Sequence, residues 1–79
     1  MTKREKLIGK IRARPPHADF EDVRRVLDLY GWTMRAPRSG SSHYTFAKAG
    51  EPEIITVVKH HGRVGRVYLD NICEKLGLD

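Results

Sequence analysis

The feature that most constrains the fold is an apolar pattern with helical period between Asp19 and Gly31. Asp19 is a good N-cap, and Glu21 and Asp22 lie in the first turn, where the helix dipole favours negative charge. Gly31 provides the stop, because glycine tolerates the left-handed conformation that often follows a helix. The apolar stripe, which the rest of the chain must cover, consists of Phe20, Val23, Val26, Leu27 and Tyr30.

Two further helices are predicted, one near each end of the chain. The first runs from about Lys3 to Arg12 and ends before a Pro-Pro pair, since proline lacks an N–H donor and constrains the preceding residue. The last runs from about Arg66 to Leu76 and is closed by Gly77. Their apolar stripes are Leu7, Ile8 and Ile11 in the first helix, and Leu69, Ile72, Cys73 and Leu76 in the last.

Three short segments have the composition of β-strands and are separated by turns that contain glycine and proline. They run from about Trp32 to Ala36, from about Ser42 to Ala47 and from Glu53 to Lys59, whereas residues 60–65 are predicted to form a loop. Joined by short turns, the three strands should pair antiparallel. With the helices on one face, the predicted fold is a two-layer α+β sandwich of order α-α-β-β-β-α.

Size and charge limit what such a domain can do. A chain of 79 residues should form one domain over residues 1–79, with a thin core. Fifteen Lys and Arg against ten Asp and Glu give a net charge of +5. This positive field attracts polyanions, RNA or DNA first, although an acidic protein would feel it equally.

Cysteine content and hydropathy bear on the compartment. The single Cys73 can form no internal disulfide and belongs to no zinc-binding cysteine cluster, which fits a reducing cytosol. No apolar run approaches the roughly 20 residues of a membrane helix. The N-terminal residues also lack the apolar run of a signal peptide. We therefore expect a cytoplasmic protein without a membrane partner.

The residue with the clearest chemical potential is His43, at the point where a polar turn enters the second strand. Gly40, Ser41 and Ser42 precede it, and the strand-forming Tyr44-Thr45-Phe46 follows. If the aromatic residues face the helices, alternation places His43 on the opposite, open face of the sheet. A histidine in such a place is either an ordinary hydrogen-bonded residue or an acid–base group available to a ligand.

Other candidates are histidines, cations and aromatic residues. His60 and His61 follow the third strand, but adjacent histidines point to opposite sides of an extended chain and no further ligand completes a metal-binding spacing, so no metal or cofactor is predicted. Trp32 and Tyr44 could stack on bases, although core packing explains both more simply. Cations in or beside the strands and loops around His43 predict a phosphate-binding surface; they are Arg35, Arg38, Lys48, Lys59, Arg63 and Arg66.

The chain resembles the HicA toxins, small ribonucleases of bacterial toxin–antitoxin pairs whose fold is similar to a double-stranded-RNA-binding domain. The resemblance covers about residues 20–78, and relative to the shortest members of the family the helix at about 3–12 is an extra element. Its parts, in order, are Phe20-x-x-Val23-x-x-Val26-Leu27-x-x-Tyr30-Gly31-Trp32, then Gly40-Ser41-Ser42-His43-Tyr44-Thr45-Phe46, then Val57-Val58-Lys59-His60, and finally Leu76-Gly77-Leu78.

This resemblance implies an mRNA-cleaving enzyme in which His43 is the catalytic histidine, with a HicB-type antitoxin binding over the active face. A metal-free reaction is chemically reasonable, because neutral His43 could accept the proton of an RNA 2′-hydroxyl while a cation stabilises the phosphate. The histidine's proton partner stays open. Together with the cationic rim, the expected RNA contacts are Arg38, Gly40, Ser41, Ser42, Lys48, Lys59, His60 and Arg63.

Two other classes of function fit the same sequence. One is a non-catalytic RNA-binding module that recognises A-form RNA by shape, with His43 as a hydrogen-bonding group only. The other is a protein-interaction domain whose positive face binds an acidic partner. RNA cleavage that depends on His43 would separate the enzyme from both.

Overall fold

The computed structural model describes residues 3–35 and 42–78. They form three helices and five strands, a small α+β fold. Arg38, Gly40 and Ser41, three of the predicted site residues, lie outside the described residues. In chain order the elements are α1 (Lys3–Arg12), β1 (His17–Asp19), α2 (Phe20–Leu29), β2 (Thr33–Arg35), β3 (His43–Ala47), β4 (Ile55–Val58), β5 (Arg63–Gly65) and α3 (Arg66–Leu76).

The three predicted helices are confirmed with nearly the predicted bounds. Asp19 stands at the N-cap of α2 with extended backbone, but its side chain makes no capping hydrogen bond. The N–H of Phe20, the first residue of the helix, donates to the carbonyl of Gly62 at 2.9 Å. Gly31 and Gly77 both have positive φ, at 88° and 73°, as their predicted role at the helix ends requires.

The predicted three-stranded antiparallel sheet is also present, in the order β2-β3-β4. β2 and β3 each begin one residue later than the sequence pattern indicates, and β4 begins two residues later and ends one residue earlier. The central strand β3 pairs Phe46 with Met34 on one side and with Ile55 on the other. Since directly opposite residues share a face, this register determines which side chains of the sheet point toward the helices.

A second sheet was not predicted. β1 and β5 pair antiparallel, with His17 opposite Gly65 and Asp19 opposite Arg63. The order α-α-β-β-β-α is therefore wrong, since β1 precedes α2 and β5 precedes α3. Residues 60–65, predicted as a loop, include β5. Each of these strands has three residues and little apolar alternation, so their pairing comes from tertiary contact rather than from a local pattern.

All three helices share one core with the larger sheet. Ile11 of α1 is fully buried, and the thiol of Cys73 in α3 donates to its carbonyl oxygen at 3.4 Å. Trp32 is only 3% exposed, which confirms core packing and removes its indole from any base-stacking role. The buried side chains are Ile11, Phe20, Val23, Val26, Leu27, Trp32, Phe46, Ile55, Val57, Val64, Leu69, Ile72 and Cys73.

Among the described residues, none of the three helices has the length and apolar character needed to cross a lipid bilayer.

Candidate functional site

Alternation along β3 gives the three-stranded sheet two different faces. Phe46 is buried, and the Tyr44 ring packs on the ring of Phe20 in α2 with 4.6 Å between centroids, so these aromatic residues face the helices. His43 and Thr45 therefore point to the other side. We call this side the open face; its residues, taken from the strand register, are Thr33, Arg35, His43, Thr45, Ala47, Thr56 and Val58.

His43 is the first residue of β3 and is exposed on the open face. It lies directly opposite Val58 of β4. The backbone N–H of Lys59 donates to the carbonyl of Ser42 at 3.0 Å, which makes His43 and Val58 a pair without mutual hydrogen bonds. Side chains come closest in pairs of this kind, so the imidazole of His43 stands beside the Val58 side chain at the end of the sheet.

Among the described residues, the sheet places the cation Arg35 beside His43. Arg35 is exposed at the end of β2, and its opposite residue in β3 is Thr45, two positions from His43. Arg35 and His43 are thus diagonal neighbours on the open face, with Cα atoms roughly 7–8 Å apart, within reach of a long side chain. The sequence placed Arg35 in the cationic rim but did not single it out among the other cations.

Lys59 is on the other side of the sheet. It follows β4 in register with the buried Ile55 and Val57, and its ammonium lies 4.9 Å from the centre of the Phe20 ring and 5.8 Å from that of Tyr44. Such positions over aromatic faces are favourable for a cation. Lys59 therefore does not lie on the rim of the open face, where it was predicted.

Lys48 is exposed but distant from His43. It follows the opposite end of β3, five residues along an extended strand, which corresponds to roughly 17 Å. There its side chain lies beside Gly31, where an added Cβ would be 3.4 Å from the Lys48 Cε. The structure thus brings Arg35, but not Lys48 or Lys59, onto the open face with His43.

A groove of about 420 Å³ adjoins the open face at the end where His43 stands. Val58 lines it together with His60 and Arg63, two of the predicted RNA contacts. These two residues exchange backbone hydrogen bonds of 2.8 and 2.9 Å, which closes the turn between β4 and β5. The turn contains His61 and Gly62, both with positive φ, and the rings of His60 and His61 are 4.2 Å apart in an edge-to-face arrangement.

The same groove contains residues that the sequence did not reveal as candidates. His17 enters it from β1, and Tyr68 enters it from α3. His17 is opposite Gly65, which also lines the groove and has open space where its Cβ would be. Only the pairing of β1 with β5 brings His17 near His60, and no local sequence signal indicates that pairing. We call this site the histidine groove.

Four carboxylates of the described residues take part in ion pairs, those of Glu21, Asp22, Glu53 and Asp70. A hydrogen bond from Arg24 lowers the pKa of Glu21, and one from Lys75 lowers the pKa of Glu53. Lys10 and Asp22 form a further pair at 3.2 Å between α1 and α2. Over residues 3–35 and 42–78, no group of three or more His, Cys, Asp or Glu side chains could hold a metal ion.

Comparisons of this chain with models of known protein families, with curated proteins and with solved structures found no significant match.

Proposed function

We propose that this chain is a HicA-type toxin with a fold similar to a double-stranded-RNA-binding domain, a ribonuclease that cleaves mRNA and so inhibits translation. The observation that carries the proposal is the position of His43. It is exposed at the edge of the open face, while the aromatic residues that follow it anchor the strand in the core. The basic net charge of +5 suits a polyanionic substrate.

The reaction that His43 could perform is an internal transesterification of RNA. Its neutral imidazole takes the proton of a 2′-hydroxyl, the 2′-oxygen forms a bond to the adjacent phosphorus, and the bond from phosphorus to the 5′-oxygen breaks. The leaving oxygen receives a proton, either from His43 itself or from a second group such as His60. The products are a 2′,3′-cyclic phosphate and a 5′-hydroxyl end.

Arg35 is the residue that we assign to the phosphate. Its guanidinium can reach the space in front of His43 and can form two parallel hydrogen bonds to phosphate oxygens, whose negative charge grows during the reaction. Removal of one such donor typically lowers kcat about 10²–10³-fold. We expect Arg35→Ala to approach this loss. The matched control is Lys48→Ala, which also removes one exposed cation but at the far end of β3, and it should change kcat less than about threefold.

The decisive experiment compares the wild type with His43→Ala in cells and in vitro. Expression of the wild type without antitoxin should arrest growth and degrade mRNA, and His43→Ala should do neither. Because His43 is exposed, the variant should keep the circular dichroism spectrum and melting temperature of the wild type. Equal growth arrest and equal RNA degradation by the two proteins would disprove the assignment.

The chemistry of the products gives a second test. Cleavage should continue in an excess of EDTA and leave 2′,3′-cyclic phosphate ends, since no step of the proposed reaction uses a metal ion. If both proteins bind RNA in a salt-dependent way and neither cleaves it, the chain is instead a non-catalytic RNA-binding module.

The proposed protein partner is a HicB-type antitoxin that covers the open face. Because the open face carries both His43 and Arg35, a protein bound there would prevent RNA from reaching either side chain. A small protein encoded next to this chain should copurify with it and suppress cleavage. Arg35→Glu should weaken that complex more than Lys48→Glu does, as measured by calorimetric titration.

A further inference from the structure

The histidine groove and the open face share one residue, Val58. Val58 lines the groove and is the residue directly opposite His43, with Cβ atoms about 4.5–5.5 Å apart in pairs of this kind. An RNA with a phosphate at His43 would therefore have one neighbouring nucleotide close to the mouth of the groove. The groove volume, about 420 Å³, lies in the usual range for small-molecule sites.

The lining of the groove suits a nucleotide in charge and in shape. Arg63 supplies a cation, and the imidazoles of His17, His60 and His61 supply hydrogen-bonding groups. No carboxylate is among the described residues that line it. Asp19, which is opposite Arg63 in the β1–β5 pair, lines a different cavity, to which His17 and Arg63 also contribute. Imidazole and phenol rings such as that of Tyr68 are surfaces on which unpaired bases stack.

We propose that the histidine groove binds the nucleotide adjacent to the cleaved phosphate, with its base against the histidine and tyrosine rings and its phosphate at Arg63. This inference rests on the proposed ribonuclease function. It makes the substrate a single-stranded RNA segment, because a base in the groove cannot be paired at the same time. It also gives His17 and Tyr68 a role that the sequence did not suggest.

Gly65 allows the groove to be filled without any change of charge. Its backbone angles, φ −76° and ψ 161°, suit any residue, and a Cβ there meets nothing within 4 Å. Gly65→Leu would place a bulky side chain in the groove, whereas Gly65→Ala adds one methyl group. Both variants replace glycine at the N-cap of α3 with a poor capping residue, so Gly65→Ala is the matched control.

The assay is fluorescence anisotropy with a labelled eight-nucleotide single-stranded RNA, performed in the His43→Ala background so that nothing is cleaved. One stacked base typically contributes about fivefold or more to affinity, so Gly65→Leu should weaken binding at least about fivefold relative to Gly65→Ala. Arg63→Gln should reduce the slope of log K against log salt concentration by about 0.7, the value for one phosphate contact on a single strand.

The outcomes separate this inference from the proposed function. Equal RNA affinity of Gly65→Leu and Gly65→Ala would overturn the groove assignment, even if cleavage still required His43. Weaker RNA binding by Gly65→Leu together with a wild type that does not cleave would support the groove and reject the catalytic role. If Gly65→Leu weakened only the complex with a protein partner, the groove would be a protein-binding site and the inference would be wrong.

Discussion

Replacement of Ile11 by alanine tests whether α1 is an integral part of the domain. Ile11 is 0% exposed and lies in the core between α1 and the other helices. Alanine removes three carbon groups, at about 0.8 kcal/mol each for transfer from water. The cavity left behind adds to this, so the expected loss is about 2–5 kcal/mol. A domain of 79 residues has a total stability of about 4–12 kcal/mol, so the loss is a large fraction of it.

The assay is urea unfolding followed by circular dichroism, with a thermal melt beside it. For a domain of this size each 1 kcal/mol lowers Tm by about 4–8 °C, so Ile11→Ala should lower it by roughly 10 °C or more. The matched control is Ile54→Ala, the same change at a residue that is 50% exposed, where the loss should stay below about 1 kcal/mol. Equal losses at the two positions would refute the inclusion of α1 in the core.

Two further predictions concern glycines and an ion pair. Gly31→Ala should lower the free energy of unfolding by about 1–2 kcal/mol, because φ is +88° there. Gly9→Ala should raise it by about 0.5–1 kcal/mol, because Gly9 lies inside α1 with open space around it. Chemical denaturation measures both changes. Lys75 lowers the pKa of Glu53 from 4.5, and Glu53 raises that of Lys75 from 10.5. The ion pair therefore stabilises the fold between pH 4.5 and 10.5. Its effect is lost as pH falls through the lowered pKa of Glu53 or rises through the raised pKa of Lys75. The difference in Tm between wild type and Glu53→Gln should therefore be largest near neutral pH and vanish at both extremes.

The helices could be predicted from the sequence because their signals are local. The stripe of α2 and the glycine after it determine where that helix runs, and α3 has the bounds that its apolar spacing indicates. Gly31 and Gly77 were correctly interpreted as left-handed residues. Asp19 shows the limit of this reasoning, since it stands at the N-cap but its side chain accepts no capping hydrogen bond.

The second sheet could not be predicted because its strands have no local sequence signal. β1 and β5 are far apart in the chain, and in each only the central residue, Ala18 or Val64, faces the core. A three-residue strand with one apolar side chain has no period to detect. The sequence pattern also does not determine the register of the larger sheet, and this register places Arg35 beside His43.

Lys59 was misplaced although the sequence contained the means to place it correctly. Ile55 and Val57 are buried, and strict alternation from them puts Lys59 on the helix side of the sheet. Its ammonium is found there, over the Phe20 ring. Counting cations near a histidine in the sequence is therefore less informative than asking which cations share its face.

The pairing of β1 with β5 links α1 to the histidine groove, and this leads to a last prediction. From the buried Ile11 the chain passes through Arg14, whose guanidinium is 3.6 Å from the carboxylate of Asp70 in α3, and reaches His17 in the groove. His43 belongs to the other, three-stranded sheet. Well below its melting temperature, Ile11→Ala should therefore weaken the binding of single-stranded RNA, which needs the groove, more than it slows cleavage of a dinucleotide too short to fill it. An equal loss in the two assays would mean that α1 supports the whole fold without any particular connection to the groove.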